Sequence, residues 1–260
     1  VTASSHSPDD AIEKVKALLK SLETGAEGPP SIIDDDTYIQ HNLTVPDGKE
    51  GFLGLQRYMS SSGATHDVVR AFRDGAHVFT HAVHNFGSPG AGFDIFRFED
   101  GKIVEHWDNN QPSGGPNPSG RTMTDGPTEA TDLDKTDANK DLVRAFVTDV
   151  LVNNKMDALA GYFDGDTYIQ HNPEIADGVS SLGPAFAAMA ENGKAISYDT
   201  IELVLGQGDF VMVGSLGKVG DAPTAFYDLF RVADGKIAEH WDAIETIPPR
   251  DEWANPNGKF

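Results

Sequence analysis

Two aspartates and a histidine recur at fixed spacing in this chain. The segment Phe93 to Asp108, FDIFRFEDGKIVEHWD, returns at Tyr227 to Asp242 as YDLFRVADGKIAEHWD, identical at eleven of sixteen positions. The first copy supplies Asp94, His106 and Asp108, and the second Asp228, His240 and Asp242. Two carboxylates and an imidazole beside Phe96 or Phe230 make an acid–base set. Apolar walls raise a carboxylate pKa, and a neighbouring carboxylate raises one of the pair further. Such a group accepts or donates a proton near neutral pH. The same pattern also fits aspartates and histidines solvated at a sheet rim.

Which side chains share a face depends on the hairpin loop. A two-residue type I′ turn at Asp100-Gly101 would set Asp94 against Trp107. A three-residue loop, Glu99-Asp100-Gly101, sets Asp94 against His106 and lays Arg97 beside Glu105 and Ile103 as a cross-strand cluster. The second register is preferred. It puts Asp94, Phe96, Val104, His106 and Asp108 on one face, with Ile95, Arg97, Ile103, Glu105 and Trp107 on the other. In the second copy Asp228, Phe230, Ala238, His240 and Asp242 oppose Leu229, Arg231, Ile237, Glu239 and Trp241.

A further motif repeats letter for letter. DTYIQHN occupies 36–42 and 166–172, bringing Tyr38, His41 and Asn42, then Tyr168, His171 and Asn172. Strand alternation would set Tyr38, Gln40 and Asn42 on one side and His41 on the other. A weaker echo pairs Asn117-Pro118-Ser119-Gly120 with Asn255-Pro256-Asn257-Gly258. The order is kept throughout, so the chain is a tandem duplication rather than a short-period array. Domain boundaries are expected at 8–126 and 127–260, with Gln111 to Asp137 as a linker or surface strap.

Each half begins with helices. Ile12, Val15, Leu18, Leu19 and Leu22 have helical spacing over 10–23, as do Leu142, Val143, Phe146, Val150 and Leu151 over 139–152. A short helical piece at 156–163 is replaced in the first copy by Gly28-Pro29-Pro30, which cannot be regular helix. A helix follows each YIQHN, and four strands close each half. Helices followed by antiparallel strands predict an α+β fold with helices over one face of a curved sheet.

The net charge of −21 over 260 residues argues against nucleic acid and anionic membranes as partners. Without cysteine, disulfides, thiolate catalysis and thiolate-bound zinc are excluded. No cofactor is called for. A metal finds no support in spacing, since no compact H-x-H or HExxH occurs, although His41, His81, His106, Asp94 and Asp108 offer ligand types. Composition suits cytoplasm and export alike, with the cytoplasm slightly favoured.

Helix–YIQHN–DG–helix followed by strands ending in DGKI-x-EHWD resembles the SnoaL-like polyketide cyclases of the NTF2-like superfamily. More narrowly, it is similar to the SnoaL-like proteins assigned to aldol condensation, over both halves. The resemblance implies two tandem cones, each a bent mixed sheet around an apolar pocket. It implies Asp108 with Asp94, and Asp242 with Asp228, as the general acid/base and its assistant. The assistant is typically His in the cyclases, so His106 and His240 are expected to supply the imidazole. Tyr38, His41, Asn42 and Phe96, with Tyr168, His171, Asn172 and Phe230, would line or underpin the pockets. Family members pair through the outer sheet face, which implies an internal pseudo-dimer, monomeric or assembled further, with Trp107 and Trp241 buried against the other half.

The copies differ at His81 and His84, which align with Gly214 and Gly217. His81 is expected to face Asp94, which makes the first half the better candidate for chemistry. The leading expectation is enolisation, aldol-type cyclisation or isomerisation of a small apolar carbonyl compound by a lyase or isomerase. Alternatives are epoxide hydrolysis by an Asp-Arg-Asp set, which the outward parity of Arg97 disfavours, and a non-catalytic binding module.

Overall fold

A computed structural model describes residues 8–260, and the chain divides into two units. One runs to Asp108 and is completed by Pro249–Phe260; the other is Asn109–Pro248. The expected boundary at 126/127 therefore falls inside the second unit. The segment after the last strand of each copy belongs to the other copy's unit, which accounts for the repeated Asn-Pro-x-Gly.

In the first unit α1 (Pro8–Thr24) is followed by β1 (Ile39–Gln40), α2 (Lys49–Ser62) and four strands, β2 (Thr65–Asp74), β3 (His77–Asn85), β4 (Pro89–Glu99) and β5 (Lys102–Pro112). Sheet order is β1-β5-β4-β3-β2. Val15, Leu18, Leu19 and Leu22, one face of α1, pack with Tyr38, Phe52, Val78, Phe96 and Ile103 to form its core. The Gly28-Pro29-Pro30 segment makes a short 3-10 turn at Pro29–Ile32.

The second unit repeats this plan with α3 (Thr136–Phe146), β6 (Ile169–Gln170), α4 (Leu182–Glu191), β7 (Ile196–Gln207), β8 (Phe210–Val219), β9 (Ala222–Ala233) and β10 (Lys236–Thr246), ordered β6-β10-β9-β8-β7. Its first helix widens into a π-helical turn, Val147–Val152, and a 3-10 stretch follows at Met156–Tyr162. Both units are thus α+β, each built on a five-stranded mixed sheet.

The hairpin loops depart from expectation. Asp100 and Gly101, and again Asp234 and Gly235, have positive φ, the signature of a two-residue type I′ turn. The three-residue loop does not form. In the second unit Ile237 opposes Val232 and Glu239 opposes Arg231, so a β-bulge at Ala238 supplies the extra residue. The bulge restores the expected parity beyond it: His240 opposes Phe230, and Asp228 opposes Asp242 rather than His240. Before the bulge the parity is reversed. Ile103 and Ile237, expected on the outer face, therefore lie in the inner cores.

Candidate active site

The two exact repeats travel together because they are neighbouring strands. β6 runs parallel to β10, with Ile169 beside Glu239 and Gln170 beside His240, and β1 pairs with β5 in the same register. This register brings YIQHN alongside EHWD. The amide of His171 donates to the His240 carbonyl at 2.9 Å. Gln170 Oε1 accepts the amides of His171 and Asn172, both at 2.9 Å, and faces His240 Nδ1 at 2.8 Å. Two residues past β6, Asn172 Nδ2 donates to Asp242 Oδ2 at 2.7 Å.

The other side of the imidazole is held by Asp228, whose Oδ1 lies 2.9 Å from His240 Nε2. Tyr198, on β7, donates its hydroxyl to the same carboxylate, 3.1 Å from Oδ2. Ligand-type atoms of Asp228, His240 and Asp242 all lie within 4.8 Å of one another. They open onto a cavity of about 360 Å³, walled by Phe146, Val150, Tyr168, Phe186, Ile196 and Phe230. That volume suits a small molecule, and the mixture of apolar walls with a few convergent polar groups is typical of a ligand pocket.

Burial pushes the Asp242 carboxyl up to about 6; the Asp228 charge adds to this, while His240 and Asn172 oppose it. Burial by itself would lower His240, but the bond to Asp228 and the nearby carboxylates leave it raised. Burial and the two carboxylates hold Tyr198 well above the ordinary phenol range, so it stays a neutral donor. Asp242 Oδ1 is buried without a hydrogen-bond partner among the described residues. The arrangement has one proton acceptor poised near neutral pH, and a Tyr–Asp–His chain beside it.

No family model and no curated protein matches the chain. Similar solved structures do exist. Wild-type IdmH from Streptomyces antibioticus, provisionally assigned as a polyketide cyclase, is 23% identical over 41% of this chain and 93% of its own, with a TM-score of 0.35. A provisionally assigned ketosteroid isomerase from Kribbella flavida is 18% identical over 44% and 84%, at 0.36. An LEH-like epoxide hydrolase from M. tuberculosis is 20% identical over 43% and 85%, at 0.33. Each match spans about the length of one copy of the repeat.

The first unit repeats the polar skeleton. Asn42 Nδ2 donates to Asp108 Oδ2 at 2.7 Å, His106 Nδ1 faces Gln40 Oε1 at 2.8 Å, and His106 Nε2 faces Asp94 Oδ1 at 3.0 Å. Where the second unit has Tyr198 the first has His66, with Nε2 3.8 Å from Asp94 Oδ2. Burial opposes ionisation of Asp94, but the His106 and His66 imidazoles hold its carboxyl well below the usual range. Lys259 buries its ammonium 3.8 Å from Asp108 Oδ1. The corresponding Arg121 of the other strap binds Asp177 instead, at 2.8 Å.

Several expected pocket residues lie elsewhere. His81 does not face Asp94; it pairs with Phe93, while Thr80 opposes Asp94. A bulge at Val69 brings Arg70 opposite His81, and the guanidinium donates to Nδ1 at 2.6 Å. His41 and His171 also sit on the face away from the pocket. They stack on Trp107 and Trp241 at 4.9 and 4.8 Å, and bind Glu105 and Glu239 at 3.0 and 2.8 Å. Burial opposes ionisation of Glu239, but His171 and Arg231 outweigh it and lower its pKa. Trp241 donates to the Asp125 carbonyl of its own unit at 2.8 Å. Tyr38 and Phe96 belong to the first core, Phe96 stacked 4.5 Å from His106. Tyr168, Asn172 and Phe230 line the second cavity.

Sequence reasoning missed Tyr198, His66, Gln170 and Lys259. Gln170 was the most accessible, since a glutamine repeated letter for letter on the Asn172 side of the strand was already in view. Lys259 was not, because nothing local tells that a strap folds into the other copy's unit.

Proposed function

We propose that the second unit is a cofactor-independent acid–base site that enolises a small, mainly apolar carbonyl compound. Asp242 supports this most directly. Asn172 holds its Oδ2, its Oδ1 has no hydrogen-bond partner among the described residues, and its pKa of about 6 makes it a base at neutral pH. Oδ1 removes a proton α to the carbonyl. The C–H electron pair forms the enolate, and negative charge gathers on the carbonyl oxygen. In the resting site Tyr198 and His240 both donate to Asp228. The charge is met as the Tyr198 hydroxyl turns from Asp228 to the enolate oxygen and by the nearby His240, whose raised pKa favours the imidazolium, in apolar surroundings where such interactions act strongly. The proton on Asp242 then returns at another carbon, which is isomerisation, or the enolate carbon attacks a second carbonyl and the alkoxide so formed takes the proton from Asp242, which is aldol-type closure.

Epoxide hydrolysis by an Asp-Arg-Asp set is not favoured. No arginine lines the cavity, and Arg231 binds Glu239 on the opposite face at 2.8 Å. The test is loss of α-proton signals in D₂O, followed by NMR across a panel of cyclic ketones and β-keto esters. Exchange above the buffer rate that disappears in Asp242→Asn supports the assignment. Exchange equal in the variant and the parent chain refutes it.

A further inference from the structure

We infer that the first unit binds a divalent first-row transition ion, zinc being the reference, through His66, His84, Asp94 and His106. These four residues come one each from β2, β3, β4 and β5, so no compact sequence motif announces them. Register places them on one face. His66 opposes His84, and Thr80, an even number of residues before His84, opposes Asp94. The proposal is independent of the chemistry assigned to the second unit.

The Asp94 carboxylate is bracketed by imidazoles, with His106 Nε2 3.0 Å from Oδ1 and His66 Nε2 3.8 Å from Oδ2. Two ligand atoms at zinc bond lengths and a tetrahedral angle lie about 3.3 Å apart. The two separations to Asp94 fall either side of that value; His66 and His84 stand outside the group that Asp94, His106 and Asp108 form within 4.8 Å, so both imidazoles turn inward when the ion binds. His106 is already oriented as a ligand, because its Nδ1 is fixed by the Gln40 side-chain carbonyl at 2.8 Å. Such a contact sets the tautomer of a metal-bound histidine.

His84 points to a ligand independently of the acidic groups. It is 6% exposed; the Ala91 backbone approaches one ring nitrogen without closing a well-formed hydrogen bond, and the other nitrogen has no partner among the described residues, as is true of Nδ1 of His66. A buried imidazole nitrogen with a free lone pair is what a borderline-soft cation takes. Lys259 places its ammonium against Asp108, leaving Asp94 as the carboxylate that faces the imidazoles. Imidazole-rich donors select zinc, nickel, copper or iron over magnesium and calcium.

The second unit serves as an internal control. Tyr198 stands in place of His66, and Gly217 in place of His84. A side chain cannot be restored at Gly217, where a Cβ would lie 2.0 Å from the Ser197 carbonyl oxygen. The duplication has thus kept one skeleton, with His106 and His240 in both copies, and given the two further imidazoles to one copy only.

The test uses the full chain, stripped with chelator and titrated with Zn²⁺ by calorimetry and with Co²⁺ by visible absorption. The expected result is one ion per chain with a cobalt d–d band. His66→Tyr and His84→Gly, the residues that the second copy carries, should each weaken binding by about tenfold or more. Absence of heat and of the band, or undiminished binding in the double variant, overturns the proposal. Should the variants fail to fold, X-ray absorption on the zinc-loaded parent chain decides. Two or three imidazole ligands uphold the site, and one or none removes it.

Discussion

Asn172 holds one oxygen of Asp242: its Nδ2 donates to Oδ2 at 2.7 Å, while Oδ1 has no hydrogen-bond partner among the described residues. The bond also favours the ionised carboxylate, working against the burial that raises its pKa to about 6. In Asn172→Ala the pKa should climb higher still. The acidic limb of the pH–rate profile should then move up by about one unit, with a loss of activity at pH 6 that is partly recovered at pH 8. A profile left in place would show that Asn172 does not tune the base.

Stability should carry the same signature. The folded pKa of Asp242, about 6, lies above the ordinary value of 3.8, so the folded chain binds this proton more tightly than the unfolded one. The contribution is fully present below pH 4 and is lost as pH rises through 6. A displacement of this size corresponds to about 3 kcal/mol. Denaturant titrations at several pH values should show Asp242→Asn removing part of the decline between pH 4 and 7.

The straps should matter separately to each unit. Asn255 Nδ2 donates to the carbonyls of Asn42 and Val45 at 2.7 and 2.9 Å, and Asn117 Nδ2 does the same for Gln170 and Ile175 at 2.7 and 2.9 Å. Alanine at either position takes one donor from each of two largely buried carbonyls, of which that of Asn42 keeps the Val45 amide, a cost of about 1–3 kcal/mol. Hydrogen exchange should quicken around 40–48 in Asn255→Ala and around 170–178 in Asn117→Ala. Faster exchange in the opposite unit would contradict the strap assignment.

Much of this was legible in the residue pattern, and the failures share a cause. Helices showed in the spacing of Val15, Leu18 and Leu22, and the inward set Asp228, Phe230, His240 and Asp242 was placed on one face. It was placed there through the wrong loop: a type I′ turn plus a bulge at Ala238 gives the same parity beyond the bulge as a three-residue loop. The two differ only before the bulge, where Ile237 changes sides. His81 failed for a related reason, because facing across β3 and β4 depends on a register that no local signal sets. Tyr198 and His66 lie on edge strands distant in sequence from the DIFR–EHWD block, so only pairing reveals that they meet Asp228 and Asp94. The larger surprise is which copy is better equipped as a base. Counting histidines favoured the first, whereas burial without a nearby ammonium favours Asp242.

That contrast gives the most direct test. With a ketone whose α-protons exchange in the presence of the protein, rates should be compared for Asp242→Asn and Asp108→Asn. The account predicts a loss of about a hundredfold or more for Asp242→Asn and a change within about threefold for Asp108→Asn. A large loss on substituting Asp108, with activity retained on substituting Asp242, would contradict it.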